Sequence, residues 1–264
     1  MTEHADAFLA LHVPGQPLLL PNPWDVGSAR LLASLGFAAL ATTSSGFAMT
    51  LGRLDGSLTR EEALAHGSAL VAAVDVPVSA DLENGFADEP EQVATTIALA
   101  ISAGLAGCSI EDFDGGGIYP ADVAAERVRA AAEAAHGADR LVLTARAENH
   151  LHGRPDLADT IARLQSFQEA GADVLYAPGL SELADIRSVV SSVDRPVNVL
   201  AMPGAPPIAA LADAGVARVS VGGAFAFAAL GAVVEAAREL QSQGTYSYGA
   251  RSRGGRAAVQ AAFS

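Results

Sequence analysis

Short apolar segments alternate with longer amphipathic segments along the chain. Between the short segments, apolar residues recur at the spacing of an amphipathic helix, as in the stripe Val93, Ile97 and Ile101. Glycine follows several of these predicted helices, where a left-handed residue commonly ends a helix: Gly36, Gly104, Gly171 and Gly215. The short segments predict eight β-strands: Leu18–Pro21, Ala38–Thr42, Val76–Ala80, Gly107–Ile110, Leu141–Ala145, Val174–Ala177, Val197–Ala201 and Arg218–Val221.

Eight strand-then-helix units without a linker predict an α/β fold, a single (β/α)8 TIM barrel. A doubly wound open sheet is the alternative, but no G-x-G-x-x-G follows the first predicted strand. The barrel is predicted to span residues 1–240. The remaining tail, residues 241–264, places Arg251, Arg253 and Arg256 among Gly and Ser. We expect this tail to be a mobile end or a segment that docks on a partner subunit.

Composition narrows the function. The 264 residues include 30 acidic and 16 basic residues, a net charge of −14, which argues against a nucleic-acid partner because phosphate binding needs a basic surface. Every basic residue is Arg, and the chain contains no Lys. Schiff-base aldolases, pyridoxal-phosphate enzymes and Walker-type P-loops each require a Lys, so their standard forms are excluded.

The cellular compartment is predicted from cysteine usage and hydropathy. The single cysteine, Cys108, cannot form an intramolecular disulfide, which suits a reducing cytoplasm. No apolar stretch reaches the roughly 18 residues that a membrane span requires. The N-terminus carries acids and His instead of a basic segment with a long apolar run, so we predict no signal peptide and a cytoplasmic protein.

Carboxylates collect where the third and fourth predicted strands end. Asp81 and Glu83 follow one strand, and Glu111 and Asp112 follow the next. In an α/β barrel these positions meet at one mouth, where the carboxylates would repel one another unless a divalent cation lay between them. Ligands that are all oxygen favour Mg²⁺ or Mn²⁺ over Zn²⁺. The alternative is that they are solvated loop acids of an acidic protein.

Other polar groups reach the same mouth. Arg146, at the end of the fifth strand, is a candidate clamp for a substrate carboxylate; a structural ion pair with Glu148 or Glu111 is its alternative. The turn Ser44–Gly46 offers N–H groups and hydroxyls to an anion. Trp24 follows the first strand and is a candidate substrate contact, with packing at the barrel mouth as the alternative.

The histidines are predicted to play no part in the chemistry. His150 and His152 have no third nitrogen or sulfur ligand nearby, so we interpret them as a surface loop and not as a zinc site. The remaining four lie in helical or terminal segments and are predicted to be surface residues: His4, His12, His66 and His136.

Seven ordered motifs between residues 16 and 240 resemble the isocitrate lyase/phosphoenolpyruvate mutase superfamily. The resemblance implies a Mg²⁺-dependent (β/α)8 barrel that makes or breaks a C–C or C–P bond next to a 2-oxo carboxylate, through an enolate held on the metal. The motifs are PNPWDVGSARLLASLGF, TTSSGFA, GRLDG, VSADLENGF, IEDFD, TARAEN and VNVLAMPG.

The resemblance also implies residue roles. Asp81, Glu83 and Glu111 would form the metal shell, and Arg146 would grip the substrate. The remaining assignments are a carboxylate and oxyanion loop at Ser45, Gly46 and Phe47, a loop acid near the reacting bond at Asp55, and a polar contact from strand 7 at Asn198.

The loop after strand 4, Phe113–Tyr119, departs from the resembling enzymes. Isocitrate and methylisocitrate lyases carry Lys-Arg-Cys-Gly-His there, and the phosphonate branches carry a Lys; this loop contains no Lys, Cys or His. We therefore expect a Mg²⁺-dependent C–C lyase, with decarboxylation of an oxaloacetate-like 2-oxo acid first. The alternatives are C–P chemistry on phosphonopyruvate or phosphoenolpyruvate, a methylisocitrate-type lyase, and a non-catalytic 2-oxo acid binding protein.

The last predicted helix, residues 224–240, suggests self-association. It carries Phe225, Phe227, Leu230 and Val233, more apolar surface than one barrel flank covers. The resemblance implies that this C-terminal helix is exchanged between subunits of a homodimer or homotetramer.

Overall fold

Eight parallel strands form the centre of the fold. The computed structural model describes residues 2–264. Neighbouring strands follow the order β1-β8-β7-β6-β5-β4-β3-β2, and the Ala41 N–H donates to the Pro21 carbonyl at 3.1 Å, joining the two ends of the sheet. The predicted (β/α)8 barrel is confirmed. The strands are β1 Leu18–Leu20, β2 Leu40–Ala41, β3 Val78–Asp81, β4 Gly107–Glu111, β5 Val142–Arg146, β6 Val174–Tyr176, β7 Val197–Leu200 and β8 Arg218–Ser220.

Helices surround the barrel, and all eight predicted strands lie at the expected places between them. No helix of residues 2–264 is long and apolar enough to cross a membrane. The helices are α1 Thr2–Ala10, α2 Val26–Ser34, α3 Ser44–Thr50, α4 Arg60–Val71, α5 Pro90–Ser102, α6 Ala121–Ala135, α7 Leu157–Ala170, α8 Leu183–Ser192, α9 Ile208–Asp213, α10 Ala224–Gln243 and α11 Gly249–Phe263.

Local signals define many helix ends. Asp25 begins α2 with a capping box, in which its carboxylate accepts the Ser28 N–H and the Ser28 hydroxyl accepts the Asp25 N–H. Gly171 ends α7 at a φ of 111°, a left-handed conformation that a Cβ disfavours. The other three glycines predicted to end helices also have positive φ: Gly36, Gly104 and Gly215.

Helix α1 closes the N-terminal end of the barrel. The fully buried Phe8 ring packs so tightly on β4 that a Cβ at Gly107 would lie 2.7 Å from it. Phe8 belongs to an apolar cluster with Val142 and Val174 at this end. The open C-terminal end of the strands is therefore left for chemistry.

The C-terminal tail forms a helix of its own. Helix α11 contacts α2 of the same chain, where the Phe263 ring lies 5.1 Å from the Arg30 guanidinium carbon. Arg251 forms a 2.8 Å ion pair with Glu235 of α10. Docking of this tail on a partner subunit stays a prediction. Exchange of a helix between subunits stays a prediction.

Candidate active site

A cavity of about 700 Å³ opens at the C-terminal ends of the strands. Its wall includes six of the predicted site residues and Arg146 at their centre, so the sequence located the mouth of the barrel correctly. These six are Ser45, Asp55, Asp81, Glu83, Glu111 and Asn198.

Arg146 is the electrostatic centre of the cavity. Its Nε lies 2.8 Å from Glu148 Oε1, its Nη1 lies 3.0 Å from Asp81 Oδ1, and its Nη2 lies 2.9 Å from Glu111 Oε2. Burial lowers the pKa of Arg146. The negative charges of Glu111, Glu148 and Asp81 raise it by more, so the net shift of the pKa is upward. Arg146 therefore forms the structural ion pairs with Glu148 and Glu111 that were the predicted alternative to a substrate clamp. Each of the three guanidinium nitrogens contacts a carboxylate of the chain.

Asp81 is held from two sides. Its Oδ1 accepts from Arg146, and its Oδ2 accepts the Ser44 N–H at 3.1 Å, at the first turn of α3. The Ser44 hydroxyl donates to Asp55 Oδ1 at 2.8 Å. Ser45 instead pairs its hydroxyl with that of Thr43 at 3.1 Å. Ser44 therefore connects the two predicted site acids, Asp55 and Asp81.

Glu83 is the acid with the least support from the chain. Its backbone is left-handed, with a φ of 48°, and its buried Oε1 has no hydrogen-bond partner. Burial and the nearby charges of Asp81 and Asp55 raise its pKa to about 7. Burial also raises the pKa of Glu111, and Glu148 adds to that effect while Arg146 opposes it. Two of the acids therefore hold protons more tightly than free carboxylates do.

These acids fit a Mg²⁺ site of the open kind. No group of three His, Cys, Asp or Glu side chains among the described residues converges into a ready metal centre; Glu111 turns to Arg146 and does not join Asp81 and Glu83. Mg²⁺ commonly takes one or two carboxylates and completes its octahedron with water and substrate. An unpartnered Glu83 oxygen beside Asp81 suits that coordination, whereas a closed zinc cage needs four protein ligands.

Three predicted substrate contacts do not line the cavity. Phe47 stacks on His66 with ring centroids 3.9 Å apart. Gly46 lies in α3, where a Cβ would be 2.6 Å from Thr43 Cγ2 and 3.1 Å from Trp24 Cβ. Trp24, Gly46 and Phe47 therefore pack the base of α3, because the loop after β2 turns directly into that helix. The prediction of a surface position is wrong for His66, which is buried.

Asp112 faces away from the cavity although it directly follows Glu111. Its Oδ2 pairs with the buried Arg163 at 3.0 Å, and its Oδ1 accepts the Glu148 N–H at 2.8 Å. Successive residues of an extended strand point to opposite sides. The predicted acid cluster is therefore smaller by one carboxylate, and Asp112 supports the loop that carries Glu148.

A row of polar side chains crosses the barrel, and two of its members, Tyr176 and Arg218, were not predicted from the sequence. Strand register places Glu111, Arg146, Tyr176, Asn198 and Arg218 at paired positions on five adjacent strands, β4 to β8. All five line the cavity. Polar residues inside buried strands were the available signal for Tyr176 and Arg218.

Arg218 forms the buried end of this row. Its guanidinium donates to Asn198 Oδ1, Thr144 Oγ1 and His12 Nε2 at 2.9 to 3.1 Å. His12, predicted at the surface, is buried instead, with its Nδ1 2.9 Å from the Phe8 carbonyl. Burial first, and then Arg218, lowers the pKa of His12 to about 3. The imidazole is therefore a neutral acceptor.

We expect His12 to make the fold acid-sensitive. Between pH 6.5 and about 3 the unfolded chain binds a proton at His12 that the folded chain rejects. The free energy of unfolding therefore falls by up to about 1.4 kcal/mol per pH unit of acidification. His12→Gln, which keeps an acceptor for Arg218, should give a shallower acid limb in urea denaturation measured across this range. The exposed His4→Gln is the control, and parallel limbs for wild type and His12→Gln would contradict the assignment.

The gate loop, Phe113–Tyr119, covers one side of the cavity. Asp114 Oδ1 accepts the N–H groups of Gly116 and Gly117 at 2.7 and 2.6 Å. The Tyr119 hydroxyl donates to Asp88 at 2.5 Å, and its pKa is raised to about 12 by burial and by that bond. Both polar side chains of the loop are therefore engaged by the chain itself.

His152 lies in an exposed loop, as predicted, and it also forms part of this wall. It lines the cavity, and its ring stacks on Phe113 with centroids 3.5 Å apart. Its Nε2 lies 3.7 Å from Glu148 Oε2. The sequence signal for this position is the histidine itself, two residues after His150.

Comparison with known proteins identifies the family. The family described as phosphoenolpyruvate phosphomutase matches residues 8–241. An uncharacterized protein of Mycobacterium tuberculosis is 34% identical over 235 residues, 89% of this chain and 88% of that protein. A crystal structure from Burkholderia cenocepacia J2315, assigned to the lyases and mutases, is 50% identical, with a TM-score of 0.94 over 98% of this chain and 96% of that chain.

A second similar structure has a specific activity in its name. The structure of 2,3-dimethylmalate lyase, a member of the phosphoenolpyruvate mutase/isocitrate lyase superfamily, is 27% identical. Its TM-score is 0.81 over 92% of this chain and 89% of that chain. The superfamily expected from the seven motifs is thereby confirmed. This chain belongs to the phosphoenolpyruvate phosphomutase family, within the isocitrate lyase/phosphoenolpyruvate mutase superfamily of lyases and mutases.

Proposed function

We propose that this enzyme cleaves the C–C bond next to the 2-oxo group of a small acid, with decarboxylation of an oxaloacetate-like acid as its first reaction. Enzymes of this superfamily generally depend on Mg²⁺ and act on small-molecule acids. Asp81 and Glu83 would hold the metal, and Mn²⁺ has the same preference for oxygen ligands. Bound Mg²⁺ supplies a Lewis acid that polarises the 2-oxo group and accepts its developing charge.

The engaged gate loop is the observation that carries this proposal. Asp114 is tied to glycine N–H groups and Tyr119 to Asp88. Retro-aldol cleavage of a hydroxy acid needs a base on the hydroxyl and an acid opposite it, each worth ~10²–10⁴-fold. Decarboxylation needs an electron sink and one returning proton. A gate loop without a free acid or base therefore suits decarboxylation better than retro-aldol cleavage.

The chain's own residues would bind and orient the acid. Ser45 and Asn198 present polar groups to the cavity. Arg146 keeps Asp81, Glu111 and Glu148 together, so that the carboxylates stay fixed while the substrate binds. Asp55 is oriented by the Ser44 hydroxyl. Fixed geometry of this kind lowers the barrier because little reorganisation remains during the reaction.

Two other reactions have specific support. The matching family name is phosphoenolpyruvate phosphomutase, which favours C–P chemistry on phosphonopyruvate or phosphoenolpyruvate. The 2,3-dimethylmalate lyase similarity favours cleavage of a substituted malate or a methylisocitrate. Binding of a 2-oxo acid without turnover remains the alternative outside catalysis.

A substrate panel tests the proposal. Oxaloacetate, phosphonopyruvate, 2-methylisocitrate and 2,3-dimethylmalate are incubated with enzyme and Mg²⁺, and products are followed by NMR. We expect pyruvate from oxaloacetate well above the rate of Mg²⁺ alone. Efficient cleavage of methylisocitrate with oxaloacetate decaying at its metal-catalysed background would overturn the assignment. Binding without turnover of any of the four acids would favour the non-catalytic alternative.

We also propose that the enzyme is a homodimer or homotetramer in which α10 meets a second copy. Apolar side chains of α10 are strongly exposed, including Phe227 at 52% and Val233 at 62%. We expect light scattering to give at least twice the monomer mass and Val233→Asp to reduce it. Leu99→Asp, an exposed position on α5, is the matched control. A wild-type monomer at all concentrations would refute the assembly.

The compartment follows from the thiol chemistry. Cys108 is the single cysteine and is buried in β4. Burial raises the pKa of its thiol, which makes it unreactive. A fold that uses no disulfide suits a reducing environment, and we propose that the protein is cytoplasmic.

A further inference from the structure

A histidine stands on the cavity wall beside the gate loop. His152 lies in the loop that follows β5, and one third of its side chain, 34%, is exposed. Its ring lies almost parallel to Phe113, with an angle of 14° between the planes. Phe113 belongs to the gate loop, so the imidazole is positioned by the element that covers the cavity. The remaining exposure leaves one side of the ring accessible to a bound acid and to water.

A buried carboxylate orients the imidazole. Glu148 is 1% exposed, and its Oε2 lies 3.7 Å from His152 Nε2. Its other oxygen accepts from Arg146 at 2.8 Å, and its own N–H donates to Asp112. These bonds prevent Glu148 from turning away. The contact with His152 is an ion pair when the ring carries its proton, and it holds the imidazole at the cavity wall.

Other proton donors at this wall are already committed. Asp114 and Tyr119 of the gate loop are bound by the chain, and Asp55 accepts from Ser44. Glu83 stands beside Asp81 in the proposed metal shell. Loss of carbon dioxide from a 2-oxo acid leaves an electron pair on the neighbouring carbon, which requires one proton. His152 is the titratable group beside the gate loop that remains free for this task.

We propose that His152 delivers the proton that completes the product, an inference that rests on the proposed decarboxylation. The C–C bond breaks, carbon dioxide leaves, and the bonding pair stays on the 2-oxo fragment as its enolate. The imidazolium then gives its proton to the carbon, forming a C–H bond and leaving a neutral ring. Solvent restores the proton through the open side of the cavity. The substrates are therefore 2-oxo acids in which the carbon that loses carbon dioxide becomes a CH₃ or CH₂R group.

Two measurements in D₂O separate this step from bond cleavage. The first is the exchange of the pyruvate methyl protons in the presence of Mg²⁺, followed by NMR, which needs no decarboxylation. The second is carbon dioxide release from oxaloacetate alongside pyruvate formation. For His152→Gln we expect methyl exchange to fall by ~10²–10³-fold, while carbon dioxide release falls less and KM stays unchanged. His4→Gln, a surface histidine, should behave as wild type.

Chemical rescue distinguishes a proton donor from a structural residue. In His152→Ala, imidazole added to the buffer should restore exchange in proportion to its neutral fraction, because exchange starts when a neutral ring removes a methyl proton and ends when the charged ring returns a deuteron. Thermal unfolding of both variants shows whether they fold. Wild-type exchange in folded His152→Gln, or no rescue of folded His152→Ala, overturns the inference while leaving decarboxylation standing. Exchange that depends on His152 without any decarboxylation supports the inference and refutes the proposed function. A wild type that neither exchanges pyruvate nor decarboxylates refutes both.

Discussion

Replacing Arg146 by Met is expected to lower the free energy of unfolding by about 3–5 kcal/mol and to abolish turnover. The guanidinium supplies the counter-charge to Asp81, Glu111 and Glu148, which lie within 3.0 Å of its nitrogens. Without it, buried carboxylates face one another with no counter-charge. Their pKa values must rise, and the fold must pay the desolvation of any that stay ionised. Urea denaturation at pH 7 measures the loss.

Arg154→Met is the control for this variant. Arg154 is half exposed and lies 3.5 Å from Asp159, a surface pair worth at most about 1 kcal/mol. Arg146→Lys should fall between the two, because an ammonium group keeps the charge but cannot contact three carboxylates in one plane. Mg²⁺ should restore part of the stability of Arg146→Met, since it can supply the missing positive charge. Equal stability of Arg146→Met and wild type would contradict the role of Arg146.

Removal of the metal, by EDTA or by Asp81→Asn, should reduce turnover by at least ~10³-fold, because a Lewis acid at the 2-oxo group is worth several kcal/mol. Calorimetric titration should show weaker Mg²⁺ binding to Asp81→Asn, with Asp122→Asn on the surface of α6 as the control. The affinity of the wild type should fall as the pH drops below 7, since Glu83, with a pKa of about 7, must lose its proton to bind. Full activity in EDTA would refute the metal site.

The fold was predictable because its signal is local and repeated. Each strand is a short apolar run, and several of the intervening helices show an amphipathic period and end at a glycine. The position of the mouth followed from the topology, since parallel strands bring their carboxyl ends together. Asp81, Glu83 and Glu111 were located in this way.

The partners of each side chain were not predictable by the same reasoning. Arg146 was expected to hold substrate, but its three carboxylate contacts come from β3, β4 and its own loop, and only the folded barrel sets their distances. The direction of the Asp112 side chain was not predictable either. It depends on the exact residue at which the extended backbone of β4 ends. His12 was misassigned because its environment is created by Arg218, 206 positions away.

Glu83 shows that this cavity works against the stability of its own fold. A non-glycine residue with a φ of 48° costs of order 1–3 kcal/mol relative to a relaxed backbone, and a buried, unpaired carboxylate oxygen adds to that cost. Glycine at this position would relieve both. Laboratory evolution under heat alone should therefore discard Glu83 early, and the survivors would be sturdier proteins with a weakened metal site. If thermostable variants retain a glutamate at position 83, that retention would indicate selection for catalytic activity.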